Sequence, residues 1–261
     1  MALMEPVITR KARAILLRRI EYGDHDVVLT FLTAEEGKVS AFAKNAKKSI
    51  KRFSGVLELF TLLEVVIRQG RGLPYLDEAS IESPFESIRT DYLRMAYAGY
   101  WSEITVQWLE EGVPQKRLFT LFKTALDALH DARRSPGTVS VLFQLLFLDI
   151  AGFAPTLWVC SGCGKGMEKL PRRKVSFDLE RGGLVCETCR KECTQRVALA
   201  AGTVMKLRWI MEQGLSKAFR VKFSPAAEAE ALTLLEHFLP RHLGREPRSL
   251  GFLGEIRRNR G

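Results

Sequence analysis

The chain has 261 residues, of which 46% are hydrophobic and 27% charged, and this globular composition excludes wholesale disorder. Its 40 lysines and arginines against 30 acidic residues give a net charge of +10, which indicates a polyanionic partner. The first 13 residues lack the apolar core of a signal peptide, and the most hydrophobic stretch, 139–148, is shorter than the ~20 residues of a membrane span. We therefore expect a cytoplasmic protein with no membrane partner.

Short strands dominate the N-terminal part of the sequence. Gly37, which is free to adopt a positive φ, lies in a predicted hairpin turn. Because no segment between the strands is long enough for a crossover helix, the pattern predicts a small five-stranded antiparallel barrel. The predicted strands are 12–20, 27–33, 39–43, 60–68 and 73–81.

A basic cluster follows the third predicted strand. No acidic residue lies between Gly37 and Leu57, and Phe42 and Phe53 lie within this stretch. On a small barrel such cations bind the phosphates of a single strand while aromatic rings contact its bases. A solvated flexible loop is the alternative. The predicted DNA-binding residues are Lys44, Lys47, Lys48, Lys51 and Arg52, with Arg68 and Arg71 on the neighbouring strand and hairpin.

The periodicity becomes helical after Pro84. Apolar residues three and four apart predict helices over 84–108, 114–129 and 138–151, and helical spacing returns after Ala201. The arginine-rich tail, from Gly244 onwards, is expected to be less ordered. The predicted organisation is a barrel domain (1–81), a helical domain in two parts (82–155 and 201–261, the latter with the basic tail) and an inserted module (156–200).

All five cysteines lie in the inserted module. Cys160 and Cys163 form one CxxC pair, and Cys186 and Cys189 form a second, with a short hairpin between them. Two such pairs supply the corners of a tetrahedral zinc site, whereas disulfide frameworks spread cysteines along small secreted chains. We predict one structural zinc ion bound by these four thiolates. Cys193 is either an alternative to Cys189 or an ordinary thiol.

No signature of an enzyme accompanies these features. The sequence contains no phosphate-binding loop, dinucleotide fingerprint, nucleophile elbow or His-Glu-x-x-His motif. None of its four histidines is followed by a glutamate two residues later, as a zinc nucleobase deaminase requires. We therefore predict a binding protein that catalyses no covalent chemistry.

The order of these elements resembles the RecO family of bacterial recombination mediators. The resemblance is carried by YGDHDVVLTFLT at 22–33, GKVSAFAKNA at 37–46, GRGL at 70–73 and LLFLDIAGF at 145–153. It implies an OB-fold barrel, a helical domain interrupted by the zinc module, and no enzymatic activity. Members of this family anneal complementary strands at the nucleoid. With RecR, and sometimes RecF, they load RecA onto DNA coated by the single-strand-binding protein SSB.

The resemblance also implies partners, namely single- and double-stranded DNA, RecR and SSB, with RecF and RecA acting indirectly. Some members carry arginines that receive the acidic SSB tail, where this chain has Val141 and Leu142. Lys116, Arg117 and Lys123 are candidate substitutes. The basic run 172–174 and the tail arginines are weaker DNA candidates. The alternatives are an RNA-associated OB-fold and zinc-ribbon protein or, less favoured, a zinc-ribbon nuclease, for which no carboxylate or histidine metal site is found.

Overall fold

The computed structural model of the protein describes residues 9–70, 72–170 and 174–260, without the side chains of Ile50, Lys51 and Arg260. The chain divides into two compact units, with the division after His130. The finer division into four segments stays a prediction. Among the described helices, none has both the length and the apolar character that a membrane span requires.

The first unit begins with a closed five-stranded barrel, in which the strands are ordered β1-β2-β3-β5-β4. β3 and β5 pair in parallel and the other neighbours pair antiparallel, which is the OB-fold topology and confirms the predicted fold class. The strands are β1 (Thr9–Tyr22), β2 (Asp26–Thr33), β3 (Gly37–Ala43), β4 (Leu62–Arg68) and β5 (Tyr75–Ser83).

Inward-facing apolar residues of the five strands build the barrel core. Every second residue of β3 is buried, and residues such as Leu29, Phe31 and Val65 fill the interior. β1 pairs with β4 through its first half and with β2 through its second half, and an irregularity at Leu16–Arg18 accommodates the change. A short helix, α1 (Ile50–Phe53), follows β3 where the sequence predicts only a basic loop.

Three helices complete the first unit, namely α2 (Glu86–Thr90), α3 (Tyr92–Trp108) and α4 (Lys116–His130). The helix predicted over 84–108 is interrupted at Asp91. The Asp91 backbone is extended, and its carboxylate accepts hydrogen bonds from the N–H groups of Leu93 and Arg94. A new helix therefore starts there, since this carboxylate satisfies two of its free N–H groups.

The second unit is mostly helical and contains a small sheet with strand order β7-β6-β8. The third strand of this sheet was not predicted from the sequence. The helices are α5 (Pro136–Ile150), α6 (Ala201–Gln213), α7 (Leu215–Ala218), α8 (Pro225–Phe238) and α9 (Arg248–Arg260), and the strands are β6 (Val175–Asp178), β7 (Gly183–Val185) and β8 (Arg196–Leu199).

The C-terminal segment corrects one expectation, because the basic tail forms helix α9 rather than a less ordered region. Leu253 of α9 is fully buried, and the Arg257 guanidinium contacts both carboxylate oxygens of Glu236 at 2.7 and 2.8 Å. Burial raises the pKa of Glu236, and Arg257 opposes that effect. A buried leucine and a paired arginine thus anchor a segment whose arginine content alone indicates disorder.

Candidate nucleic-acid interface and metal centre

The two CxxC pairs converge in the second unit. The sulfur atoms of Cys160, Cys163, Cys186 and Cys189 all lie within 4.8 Å of one another, and those of Cys163 and Cys186 are 3.8 Å apart. A tetrahedron of four sulfurs, each about 2.3 Å from a central zinc ion, has edges of about 3.8 Å. The cluster therefore has dimensions that fit a tetrahedral metal ion.

Local backbone hydrogen bonds shape the first CxxC turn. The Gly164 N–H donates to the Cys160 carbonyl at 2.8 Å, and the Cys160 N–H donates to the Lys165 carbonyl at 2.7 Å. Gly164 has φ +73°, a conformation that favours glycine. The second pair begins directly after β7, and the Cys186 N–H donates to Cys160 Sγ at 3.3 Å. The first CxxC turn and the end of β7 thus bring the thiols of the two pairs together.

The surroundings of Cys160 favour its thiolate. Burial raises the pKa of this thiol, but N–H donors of Cys186, Cys163 and Gly162 outweigh burial and lower the pKa to about 6. Because the thiolate is the form that binds metal, the backbone prepares this ligand for coordination.

Gly162 allows the two CxxC turns to approach closely. A Cβ atom at this position would lie 2.9 Å from both Cβ and Sγ of Cys189. Any side chain would therefore push the two pairs apart, so glycine is required here for space.

Cys193 lies outside the cluster of four sulfurs. Its thiol donates to the Cys189 carbonyl oxygen at 3.5 Å. Burial and a hydrogen bond with Asp178 raise the pKa of Cys193 to about 11, which keeps it protonated. The clustered sulfurs are thus the four that the paired spacing singles out.

On the barrel of the first unit, a cleft of about 360 Å³ brings several of the predicted cations together. Lys44, Arg52 and Arg68 line it, and Lys44 and Arg52 are exposed. The Arg52 guanidinium donates to the Lys44 carbonyl oxygen at 3.1 Å, which links α1 to the end of β3. The other lining residues are Asn45, Tyr75, Leu76 and Asp77.

The basic segment is folded into a defined turn. Asn45 has φ +54°, and its N–H donates to Asp26 Oδ1 at 2.6 Å. The Lys47 N–H donates to the His25 carbonyl at 3.0 Å, so the segment is tied to the β1–β2 turn. Asparagine tolerates this left-handed conformation better than most residues, which explains its place at the bend.

Two of the predicted cations already have carboxylate partners. Lys47 Nζ lies 2.7 Å from Glu21 and donates to the Gly23 carbonyl at 3.4 Å, and the lysine lowers the pKa of Glu21. Arg68 binds Asp77 through two hydrogen bonds of 2.8 and 3.2 Å, and these raise its pKa. Lys48 is exposed.

One predicted aromatic contact with DNA is wrong, and several predicted residues lie outside the described parts of the chain. Phe53 is only 4% exposed and packs in the barrel core, so the expectation that its ring meets bases is wrong. Sequence analysis missed the partners Glu21 and Asp77, and also Tyr75. Asp77 and Tyr75 lie on the predicted strand 73–81, whereas Glu21 follows the predicted strand 12–20 and belongs to β1 in the structure. Outside the described parts of the chain fall the side chains of Lys51 and Arg260 and the residues Arg71, Arg172 and Arg173.

The residues considered for the SSB tail occupy two helices. Lys116 and Arg117 are exposed in the first turn of α4, and Lys123 pairs with Asp127 at 2.9 Å. Val141 and Leu142 are fully buried in α5 and present nothing to a partner. A contact of the α4 cations with an acidic tail stays a prediction.

Comparison with known proteins finds two family models on the chain. "Recombination protein O N terminal" matches residues 4–85, and "Recombination protein O C terminal" matches residues 89–251. Among curated relatives, the DNA repair protein RecO of Desulfatibacillum aliphaticivorans is 41% identical over 98% of this chain and 99% of its own length. Those of Desulfosudis oleivorans and Myxococcus xanthus are 38% and 35% identical, covering 94% and 93% of this chain and 96% of each relative.

Proposed function

Because the chain belongs to the RecO family and acts in DNA repair and recombination, we propose that it is a recombination mediator that binds and anneals single-stranded DNA. In this proposal it acts with RecR, and with RecF, to help load RecA onto DNA coated by SSB. It works as a binding protein rather than as an enzyme.

The observation that carries this proposal is the barrel cleft in which Lys44, Arg52 and Arg68 converge. A row of cations along an open groove follows a phosphate backbone, and each contact releases a condensed counterion. A face of this kind can neutralise two complementary backbones that otherwise repel each other. Annealing by such a face needs no nucleotide hydrolysis, which agrees with the absence of a phosphate-binding loop from the sequence.

The proposal includes a structural zinc ion bound by Cys160, Cys163, Cys186 and Cys189. The geometry of the four sulfurs supports this assignment, and four thiolates close the coordination shell. Such an ion would hold together the segments that carry the two CxxC pairs. No position would remain open for a water or a substrate, so the site has no part in covalent chemistry.

The protein partners follow from family membership. We propose RecR as the direct partner and Lys116, Arg117 and Lys123 as contacts for the acidic SSB tail. Their position on α4 supports this choice, because the first turn of that helix carries two exposed cations and no acidic residue. A charge-reversed tail peptide that bound the protein equally well would contradict the electrostatic part of this proposal.

The decisive experiment measures binding and annealing with one set of oligonucleotides. We expect single-stranded DNA to bind with an affinity that falls as salt rises, and complementary strands to anneal equally fast with and without ATP. A strict ATP requirement would contradict the proposal. A preference for RNA over DNA of the same sequence would favour the RNA-associated alternative, and metal-dependent shortening of the strands would favour a nuclease.

A further inference from the structure

A line of apolar side chains crosses the outer surface of the barrel. Strand register connects its members, since Ile20 of β1 faces Val28 of β2, Val28 faces Phe42 of β3, and Phe42 faces Tyr75 of β5. None of the four belongs to the barrel core. Tyr22 lies two residues after Ile20, on the same side of β1. We call these five residues the outer row.

The aromatic members of the outer row contact one another. The Phe42 ring meets Tyr22 edge to face at 5.6 Å between centroids and Tyr75 at 5.9 Å. Tyr22 is 61% exposed, so one side of its ring is open to solvent. These contacts hold the rings in fixed orientations, which lowers the entropic cost of binding a flat ligand.

Cations lie at the end of the outer row. Arg68 faces Tyr75 across the β4–β5 pair, and its guanidinium lies 5.1 Å from the centre of the Tyr75 ring. Lys44 follows Phe42 by two residues and shares the cleft with Tyr75. Gly70 lets the ring sit close to the hairpin, because a Cβ atom there would lie 3.0 Å from Tyr75 Cε2.

The solvent-facing side of an antiparallel barrel strand is ordinarily polar. An apolar, aromatic line bordered by cations therefore needs a ligand that has both flat apolar faces and negative charge. Unstacked nucleobases on a phosphate backbone have this chemistry, whereas the bases of a duplex are already stacked on each other.

We propose that the outer row is the base-stacking platform of the barrel, with Tyr22 and Tyr75 as the residues that select single strands over duplex. The strand would cross the barrel roughly perpendicular to β1, β2 and β3, with its phosphates on Lys44, Arg52 and Arg68. This inference rests on the proposed DNA-binding function and adds to it the residues that recognise bases.

The test separates stacking from charge. Tyr22→Ala and Tyr75→Ala should each weaken single-strand affinity by roughly 5- to 150-fold, the usual range for loss of one stacked base. The slope of log affinity against log salt should stay unchanged, because no phosphate contact is removed. Affinity for duplex should also stay unchanged, and Tyr22→Phe and Tyr75→Phe should restore single-strand binding.

Tyr92→Ala is the matched control, since Tyr92 is 75% exposed in the same unit but lies on α3, outside the outer row. Thermal unfolding identifies any variant that loses affinity because it misfolds, and the phenylalanine variants then decide the question. An equal loss for duplex and single strands, or full affinity of Tyr22→Ala and Tyr75→Ala, would overturn the inference.

Failure of this inference differs from failure of the proposed function. If Lys44→Ala flattens the salt dependence while the tyrosine variants bind normally, the barrel binds DNA without stacking. If the unmodified protein does not bind single strands, the proposed function itself is wrong. Full single-strand binding combined with loss of RecR binding in Tyr22→Ala would identify the outer row as a protein interface instead.

Discussion

The barrel and the cysteine module place their charged groups on very different supports. The barrel carries its cations on the outside of a closed five-stranded sheet that has a full apolar core. The module carries its thiols on turns around a sheet whose strands are only three and four residues long. In the barrel the fold exists without the site, whereas in the module we expect a metal bound at the site to supply part of the fold.

This difference determines what substitutions will do. Exposed lysines on the barrel can be replaced without disturbing its interior, so binding and stability separate. Three of the four clustered thiols of the module lie outside a closed interior, because Cys163 is exposed and Cys186 and Cys189 are half-buried, whereas Cys160 is buried. Loss of a thiol there should affect stability first.

The largest effect is expected from removing a metal ligand. Cys160→Ser should abolish binding of about one equivalent of zinc and unfold the module, since ligation of a structural zinc contributes roughly 10–16 kcal/mol in zinc-finger peptides. Metal analysis and thermal unfolding measure the two effects. The salt dependence of DNA binding by the barrel should change little.

Cys193→Ser is the matched control for that experiment. Its sulfur lies outside the cluster of four, so metal content and melting temperature should both remain near those of the unmodified protein. A fall in zinc content in this variant would show that the ligand assignment is wrong. Less than half an equivalent of zinc in the unmodified protein would contradict a zinc site altogether.

A smaller effect on stability is expected from the barrel glycines. Gly37 and Gly23 both have positive φ, +61° and +57°, so alanine at either should cost about 1–2 kcal/mol for the backbone conformation. A Cβ at Gly37 would also overlap the Val113 carbonyl oxygen, whereas one at Gly23 meets nothing within 4 Å. Denaturant unfolding should show Gly37→Ala as clearly the less stable variant. Equal stability of the two would contradict this account.

The next prediction concerns salt dependence. Replacing both Lys44 and Arg52 by alanine should flatten the slope of log affinity against log salt by about 1.4, at ~0.7 per phosphate contact on single strands. Lys47→Ala with Lys48→Ala should flatten it less, because Lys47 is already paired with Glu21. Filter binding across a salt series measures both.

The charge-matched control replaces Lys217 and Arg220, which are exposed in the second unit, by alanine. The slope of this control should stay close to that of the unmodified protein. If the control flattens the slope as much as the Lys44 and Arg52 variant does, DNA binding is not concentrated on the barrel.

Both the barrel and the cysteine module could be predicted in part from the sequence. Partial alternation, strand-forming residues and turn signals predicted all five barrel strands, because these features lie within or beside each strand. CxxC spacing found the thiol cluster, since two turns of fixed shape largely determine where four sulfurs point. Such patterns lie within a few residues of the chain, so they predict structure without knowledge of the tertiary contacts.

Features that depend on distant residues were not predictable in this way. The pairing of Lys47 with Glu21 joins residues 26 positions apart. The burial of Phe53 depends on α1 closing over the barrel interior, and the order of α9 depends on Glu236. The outer row depends on register across four strands, and a single sequence does not contain that register.

The smallest effect is expected at Asp77, where the structure makes a prediction opposite in sign to those for the lysines. Asp77 holds Arg68 through two hydrogen bonds, so a phosphate that approaches Arg68 must compete with this carboxylate. Asp77→Asn keeps the size of the side chain and one acceptor oxygen but removes the negative charge from the cleft. Single-strand affinity should therefore rise by a few-fold, because the phosphate bound by Arg68 no longer competes with this carboxylate, and the salt slope should stay close to that of the unmodified protein. Arg68→Ala in the Asp77→Asn background should abolish this gain and flatten the slope by about 0.7. Weaker binding by Asp77→Asn would instead mean that Asp77 orients Arg68 against Tyr75, and that the arginine acts through the ring rather than on the DNA backbone.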